Sequence, residues 1–442
     1  MRWVGNDEKR PHLTQPSPSR GAEREKICDW LSEGLDHLWL PYAQMKTAPA
    51  PLPVTRTEGC RIFLDDGRVL IDGIASWWTA CHGYNHPHIA AAIARQLAAM
   101  PHVMFAGLTH EPAARLATRL AALLPGDLER VFFSESGSVA IEIALKIARQ
   151  YWRNRGAPRD KFVAFRGGYH GDTAAAMAVS DPAIGMHGRG RGLLPDQLIA
   201  DLPRSEASAA RLDALLAREA PSIAALIVEP LVQGAGGMIF HDAATLRRVH
   251  AAADRHGVLL IADEIFTGFG RTGALFACAA AGIVPDIITL SKALTGGVLP
   301  LAATIARSPV FEAFLSDDDE AALMHGPTFM ANALACAAAN AALDLFALED
   351  RLRQAAALET ALNHELAPCR KLSGVRDVRV KGAIGVVELD RIADHAALRR
   401  RFLEEGVWIR PFGNIVYLTP SFIIDEDELA ALTRAIRRVL GG

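Results

Sequence analysis

Cysteine is scarce in this chain and what there is lies scattered: Cys28, Cys60, Cys81, Cys278, Cys336 and Cys369 in 442 residues, with no paired metal-ligand spacing. That excludes a zinc module and a disulfide-stapled scaffold, predicts no bound metal, and points to a reducing cytosol. An excess of charge of one sign is also missing. Lys and Arg number 47 against 50 Asp and Glu, a formal net charge of -3, so no broad attraction to nucleic acid or anionic lipid is implied. A small, near-neutral substrate is the natural partner. Long apolar runs are lacking too: the most helix-like one, residues 331–348, is interrupted by Asn332, Asn340 and Asp344, and reads as a buried alanine-rich helix rather than a membrane span. No internal repeat and no separate basic DNA-binding segment is visible. Residues 1–26 are polar, mixed in charge and broken by Pro11, Pro16 and Pro18, with no stretch apolar enough for a signal peptide; a disordered extension is expected there.

What is present from Ile27 onward is an alternation of helical and strand patterns with short connections, the mark of an α/β fold with a mostly parallel sheet. Helices are predicted over residues 87–99, 111–123, 139–153 and 243–256, and strands over 130–133, 161–165, 224–228 and 258–262. Residues 54–71 read as short hairpin-like strands around Asp66-Gly67, and the segment after Glu349 alternates helices with strands such as 384–388. The expected organisation is a large central domain over residues 75–345, with a smaller α+β domain assembled from residues 27–74 and 346–442.

The chemistry centres on Lys292. An apolar run ending at Asp263 reads as a buried strand with a carboxylate at its tip, and Asp286-Ile-Ile-Thr-Leu290 reads as a second strand delivering Lys292. Either residue alone is common as a cap or a solvated charge. Together, with Gly268, Gly270, Gly273, Gly296 and Gly297 expected to let backbone approach a ligand, they suit pyridoxal 5'-phosphate (PLP). Its aldehyde needs a lysine for a Schiff base, and its pyridine nitrogen needs a carboxylate to stay protonated.

Two further strand ends agree. In Phe132-Phe-Ser-Glu-Ser-Gly-Ser-Val139 a strand enters a small-residue turn and then a helix, so the amides of Gly137, Ser138 and Val139 are expected to face an anion, with the helix dipole adding to the attraction. An ordinary serine N-cap would leave the same pattern. In Phe165-Arg-Gly-Gly-Tyr-His-Gly-Asp-Thr173 a loop tyrosine, Tyr169, can lie flat on a pyridine ring, with Asp172 orienting its neighbours. Ligands of open parallel sheets collect at such strand ends.

With these segments, and above all Ile261-Ala-Asp-Glu-Ile-Phe-Thr-Gly-Phe-Gly-Arg-Thr-Gly273 through Lys292, the chain resembles the class III, fold-type-I PLP aminotransferases over nearly its whole length. The resemblance implies that Lys292 carries the cofactor and shuttles protons, that Asp263 pairs with the pyridine nitrogen, that Gly137 and Ser138 bind the phosphate, and that Tyr169 stacks on the ring. Thr328, in Gly326-Pro327-Thr328, would reach the phosphate of the neighbouring subunit, which implies a homodimer.

Substrate choice is read from departures within that family. Many glutamate- or ornithine-using members place an arginine near the chain end; Tyr417 stands there in this chain. They also carry Val-Glu-Pro-x-Gln-Gly-Glu, where this chain ends the motif in Ala235. A missing bidentate partner for a desolvated carboxylate costs on the order of 2 to 5 kcal/mol, which counts against glutamate as donor. The segments Trp39-Leu-Pro-Tyr42, Ser76-Trp-Trp78, His82-Gly-Tyr-Asn-His-Pro87, Gln233-Gly-Ala-Gly-Gly-Met238 and Arg410-Pro-Phe-Gly-Asn414 instead resemble the branch that serves biotin biosynthesis. That branch aminates 8-amino-7-oxononanoate with S-adenosylmethionine as donor. By resemblance Arg410 binds the oxo-acid carboxylate, Tyr42, Trp77 and Trp78 line the substrate channel, and Tyr169, Gly326 and Tyr417 lie on the substrate side. A long aliphatic chain with one carboxylate does need an apolar tunnel ending in one guanidinium, and aromatic faces can hold a sulfonium. The chain departs from the branch pattern at Leu40, where histidine is usual, and at Ala331 and Ala333, where the pattern has glycine and proline. A lysine-donor version of the step, another ω-amine aminotransferase, and a non-catalytic PLP-binding regulator are the alternatives.

Overall fold

In a computed structural model the described residues are 29–183 and 197–442; the expected extension over 1–26 and Cys28 lie outside them. They divide into two units, with the boundary between Pro53 and Val54. The first holds one short helix, Asp29–Leu35, followed by turns in which Tyr42 takes a left-handed φ of 51°.

The second unit is built on a seven-stranded sheet in the order Leu128–Ser134, Ala302–Arg307, Ile287–Leu290, Leu259–Asp263, Ile223–Val228, Lys161–Phe165, Leu198–Ala200. Ala302–Arg307 runs antiparallel to both of its neighbours and the remaining neighbouring pairs are parallel. The central strands Ile223–Val228, Leu259–Asp263 and Ile287–Leu290 are buried throughout and mostly apolar, as a parallel sheet covered on both faces requires. Period-two alternation divides their side chains between two cores. Leu259 and Ile261 pack with Ile141 and Ile147 of the helix Gly137–Asn154, whereas Leu260 and Ala262 pack with Leu246 and Val249 of the helix Ala243–His256.

Helices Pro87–Ala99, Glu111–Leu123 and Ala243–His256 run over the residues predicted from periodicity. The helix expected at 139–153 extends to Gly137–Asn154 because Ser136 caps it, and the alanine-rich helix begins at Ala333 because Asn332 caps it. The two alanines that depart from the family pattern fall at this cap. Ala331 is buried with φ 52°, the left-handed region that favours glycine, and its carbonyl accepts from His110 Nε2 (2.9 Å). Ala333 opens the helix, where proline is merely pre-organised and alanine is equally compatible.

Two smaller sheets draw on the ends of this unit. Val54–Glu58, Arg61–Leu64 and Val69–Asp72 form an antiparallel meander that is joined in parallel by Val407–Trp408, and Val375–Lys381, Ile384–Leu389 and Ile415–Leu418 form a second antiparallel sheet. No described helix is long and apolar enough to cross a membrane.

Candidate active site

A cavity of about 170 Å³ opens at the carboxyl ends of the parallel strands, where ligands of such sheets bind. It is lined by Trp78 and by residues at the ends of five strands, among them Gly137, Ser138, Tyr169, Asp263 and Lys292. The structure therefore brings together the five residues that the strand ends single out.

Asp263 closes its strand with a buried carboxylate. Oδ2 lies 2.7 Å from His170 Nδ1, and Oδ1 accepts from the Ile265 amide (3.1 Å) and from Thr289 Oγ1 (3.3 Å). The next residue faces the other way: Glu264 accepts from the amides of Ala277 (2.8 Å) and Cys278 (2.7 Å) and from Thr267, so of two adjacent acids one serves the cavity and the other the scaffold.

Lys292 follows the strand Ile287–Leu290 with a left-handed φ of 49°, a conformation that persists at a non-glycine residue only where the surroundings over-determine it. Its Nζ lies 4.5 Å from the centre of the Trp78 ring and 5.6 Å from that of Phe266. Desolvation of the amine pulls its pKa down to about 8, against the opposing pull of Asp263 and Glu229. Only the neutral amine can attack an aldehyde. Uptake of PLP by apoprotein is therefore expected to accelerate with pH up to about 8 and level off above it, instead of climbing towards the ordinary lysine value; stopped-flow absorbance across pH 6 to 10, set by the reference values involved, measures this.

At the start of the helix Gly137–Asn154, Ser136 Oγ accepts the Val139 amide (3.3 Å). This corrects the expectation for Val139, whose amide belongs to the cap, and leaves Gly137 and Ser138 as the amides a phosphate can meet. Ser138 Oγ also accepts from the Asp172 amide (3.1 Å), and a Cβ on Gly171 would stand 2.3 Å from that oxygen, so the two loops interlock only with glycine there. Tyr169 donates its hydroxyl to Asp172 (2.9 Å), and its amide donates to Glu229 (2.9 Å).

The glycines expected to admit a ligand do something else. Gly296 and Gly297 let the lysine loop lie against Ile89, His82 and the Thr79–Ala80 backbone, Gly270 sits against Leu352 and Phe422, Gly268 against the Glu264 carbonyl, and Gly273 near Gly382. They admit chain to chain, and the glycines that line the cavity are Gly137 and Gly171.

Glu229, His170, Ile265 and Phe266 line the cavity without having been singled out. Glu229 is buried, accepts from Tyr169 and Gly234 (both 2.9 Å), and is pushed up to about 7 by that burial. Its signal was available, since it closes the apolar strand Ile223–Val228 just as Asp263 closes its own.

The substrate-side residues are more dispersed. Trp78 is buried on the cavity wall against Phe266, ring centroids 4.5 Å apart. Trp77 lies outside the lining, half exposed, with the Arg410 guanidinium 4.7 Å from its ring centre. Tyr417 is buried between Trp78 and Phe412, also outside the lining. Gly326, Pro327 and Thr328 lie on a segment between exposed Met324 and Phe329, away from this cavity's wall. Tyr42 belongs to the separate first unit.

These features fit PLP: an enclosed amine, a strand-end carboxylate facing the same cavity, two uncapped helix amides and a loop tyrosine on the wall. The class so defined is a fold-type-I, PLP-dependent enzyme. The chain matches the aminotransferase class-III family model over residues 42–440 and belongs to that family. It is 46% identical over 415 residues to adenosylmethionine-8-amino-7-oxononanoate aminotransferase of Mycobacterium leprae, covering 92% of this chain and 95% of that protein. The solved enzyme of the same name from Methanocaldococcus jannaschii superposes with a TM-score of 0.88 at 32% identity, covering 93% and 98% of the two chains. An omega-transaminase from Pseudomonas jessenii, solved in complex with PMP, gives 0.86 at 29% identity over the same shares.

Proposed function

We propose that this protein transfers the amino group of S-adenosylmethionine to 8-amino-7-oxononanoate, giving 7,8-diaminononanoate in biotin biosynthesis. The observation that carries the donor assignment is the cavity wall beside Lys292, where Trp78, Phe266, Tyr169 and Ala235 stand and no arginine is found among the described lining residues. Aromatic faces suit a sulfonium and an adenine better than they suit a second carboxylate. The names of the relatives in M. leprae and M. jannaschii support the same reading.

Bound PLP supplies an electron sink for the carbanion of the substrate. The protein's part is proton traffic and placement. Lys292 Nζ takes the proton from the amine-bearing carbon of the donor and returns one to the corresponding carbon of the acceptor. Asp263, oriented by His170, keeps a proton on the pyridine nitrogen, while Gly137 and Ser138 hold the phosphate. Trp78 and Phe266 keep water from the lysine amine. Arg410 binds the carboxylate of the oxo-acid, with Trp77 beneath its guanidinium and Tyr417 completing the substrate side. Exposure of Gly326 and Thr328, on either side of half-buried Pro327, supports a homodimer in which this segment reaches the partner's site, and the free cysteines among the described residues support a cytoplasmic enzyme. The sheets built from both ends of the second unit support a small domain flanking a large one over residues 75–345.

Arg410→Ala is expected to reduce kcat/KM for the oxo-acid by about 30-fold or more, the loss of a charged pair worth about 2 kcal/mol or more. The donor half-reaction should change far less. Equal damage to both halves, read by single-turnover kinetics, would refute its assigned role.

A further inference from the structure

The segment Asp72-Gly-Ile-Ala-Ser-Trp-Trp78 contains a backbone feature that its composition does not announce. Ala75, Ser76, Trp77 and Trp78 are all left-handed, with φ of 45°, 48°, 62° and 76°, and none is glycine. Such a run is sterically costly and survives only where its surroundings hold it. Main-chain bonds from Trp78 N to the Ile74 carbonyl (2.8 Å) and from Thr79 N to the Ala75 carbonyl (2.9 Å) close the turn. Thr79 Oγ1 on the Ser76 carbonyl (3.0 Å) and Thr419 Oγ1 on the Ile74 carbonyl (3.4 Å) add to that hold, and a buried carboxylate gathers the amides at the start of the turn. Asp72, 1% exposed, accepts the Ile74 amide on Oδ1 (2.8 Å) and both the Ser76 amide (2.7 Å) and the Tyr84 hydroxyl (2.6 Å) on Oδ2.

The turn aims adjacent tryptophans at two different cations, Trp78 at Lys292 and Trp77 at Arg410. Asp72 is tied to both destinations. Its main chain pairs with Trp408, two residues before Arg410, and Gly73 N donates to the Trp408 carbonyl (3.0 Å). Beyond the turn, Thr79 and Ala80 abut Gly297 of the lysine loop so closely that a Cβ there would lie 2.8 Å from Thr79 Oγ1 and 2.9 Å from Ala80 N.

We infer that Asp72, assisted by Tyr84, is a positioning residue for the acceptor half of the reaction, holding Trp77 under Arg410 at a fixed distance from Trp78 and Lys292. Three donors converge on its two oxygens, so a carboxylate is required; asparagine offers one acceptor oxygen and turns a donor towards another donor. The inference rests on the assignment of Arg410 to the oxo-acid carboxylate.

The test uses holoenzyme carrying Asp72→Asn, Tyr84→Phe, Ser76→Gly, or Asp72→Asn with Ser76→Gly, with Arg410→Ala alongside. Asp72→Asn should raise the oxo-acid KM by about tenfold, as for loss of a hydrogen bond to a charged group. Discharge by S-adenosylmethionine should change less than about threefold and cofactor content should stay stoichiometric, as expected when only the turn is loosened. Tyr84→Phe should shift the same KM by about threefold, a neutral donor being worth less. Ser76→Gly relieves one left-handed position, so the double variant should regain melting temperature while its KM defect persists. Equal losses in both half-reactions, or a KM defect that disappears with the recovered melting temperature, would show a purely structural role and overturn the inference. Should Asp72→Asn fail to fold, Tyr84→Phe decides: an unchanged oxo-acid KM overturns it. If Arg410→Ala spares the oxo-acid, the underlying assignment fails; if it harms the oxo-acid selectively and the Asp72 and Tyr84 variants do not, this inference alone fails.

Discussion

Lys292→Ala should abolish turnover, with kcat falling by at least about 10⁴-fold, because in the proposed mechanism one side chain both anchors the cofactor and carries the proton. Its environment is arranged for those tasks: the amine is desolvated, drawn down to about 8, and set against Trp78 by a left-handed backbone. The fold should survive, since removing an enclosed amine exposes no core and relieves a desolvation cost. PLP should still bind through Gly137, Ser138 and Asp263, but without the lysine its visible absorbance should resemble that of free aldehyde. Turnover retained within tenfold of the parent, a loss of less than about 1.4 kcal/mol, would sink the mechanism.

Asp263→Asn should be the next most damaging change. The substitution keeps the size of the side chain and an oxygen for the Ile265 amide, but removes the charge proposed to keep a proton on the pyridine nitrogen. Loss of a buried charge-assisted pair costs about 2 to 5 kcal/mol, so kcat should fall roughly 30- to 5,000-fold. Both half-reactions should suffer, because both need the same electron sink. That separates Asp263 from Arg410, whose loss should fall on the oxo-acid half. Rapid-scan kinetics of each half-reaction measures the contrast, and an acceptor-only defect in Asp263→Asn would contradict the assignment.

The legibility of the site in the sequence follows from how each part is encoded. Asp263 was readable because a carboxylate ends an uninterrupted apolar strand, and Lys292 because a second such strand delivers it; parallel sheets buried on both faces write themselves as such runs. Glu229 carries the same signal at the end of Ile223–Val228, inside a motif whose departure from the family pattern falls at Ala235. The helix start at Gly137 was legible as an anion site, but the division of its amides was not: whether Ser136 caps Val139 or leaves it free depends on a side-chain rotamer. The glycines around the lysine are legible as points of close approach, but their spacing does not say whether ligand or chain approaches, and here it is chain. The left-handed turn at Ala75–Trp78 had no local signal. It contains none of the residues that favour positive φ, and is enforced by Asp72, Tyr84 and the strand Val407–Trp408, over 300 positions away in the chain. Residues of the substrate side were recoverable only through family resemblance, since an arginine stacked on a tryptophan has no spacing rule.

In the proposed reaction an aromatic cavity wall, with no arginine among its described residues, selects S-adenosylmethionine over amino acids with a second carboxylate. The most direct test of that selection is a half-reaction titration of the purified PLP form, following the visible absorbance of the lysine-bound cofactor while S-adenosylmethionine, lysine or glutamate is added separately. Discharge by S-adenosylmethionine and none by glutamate is expected. Discharge by lysine alone would keep the acceptor and change the donor, whereas discharge by glutamate would contradict the reading of Ala235 and Tyr417 and with it the proposed donor site.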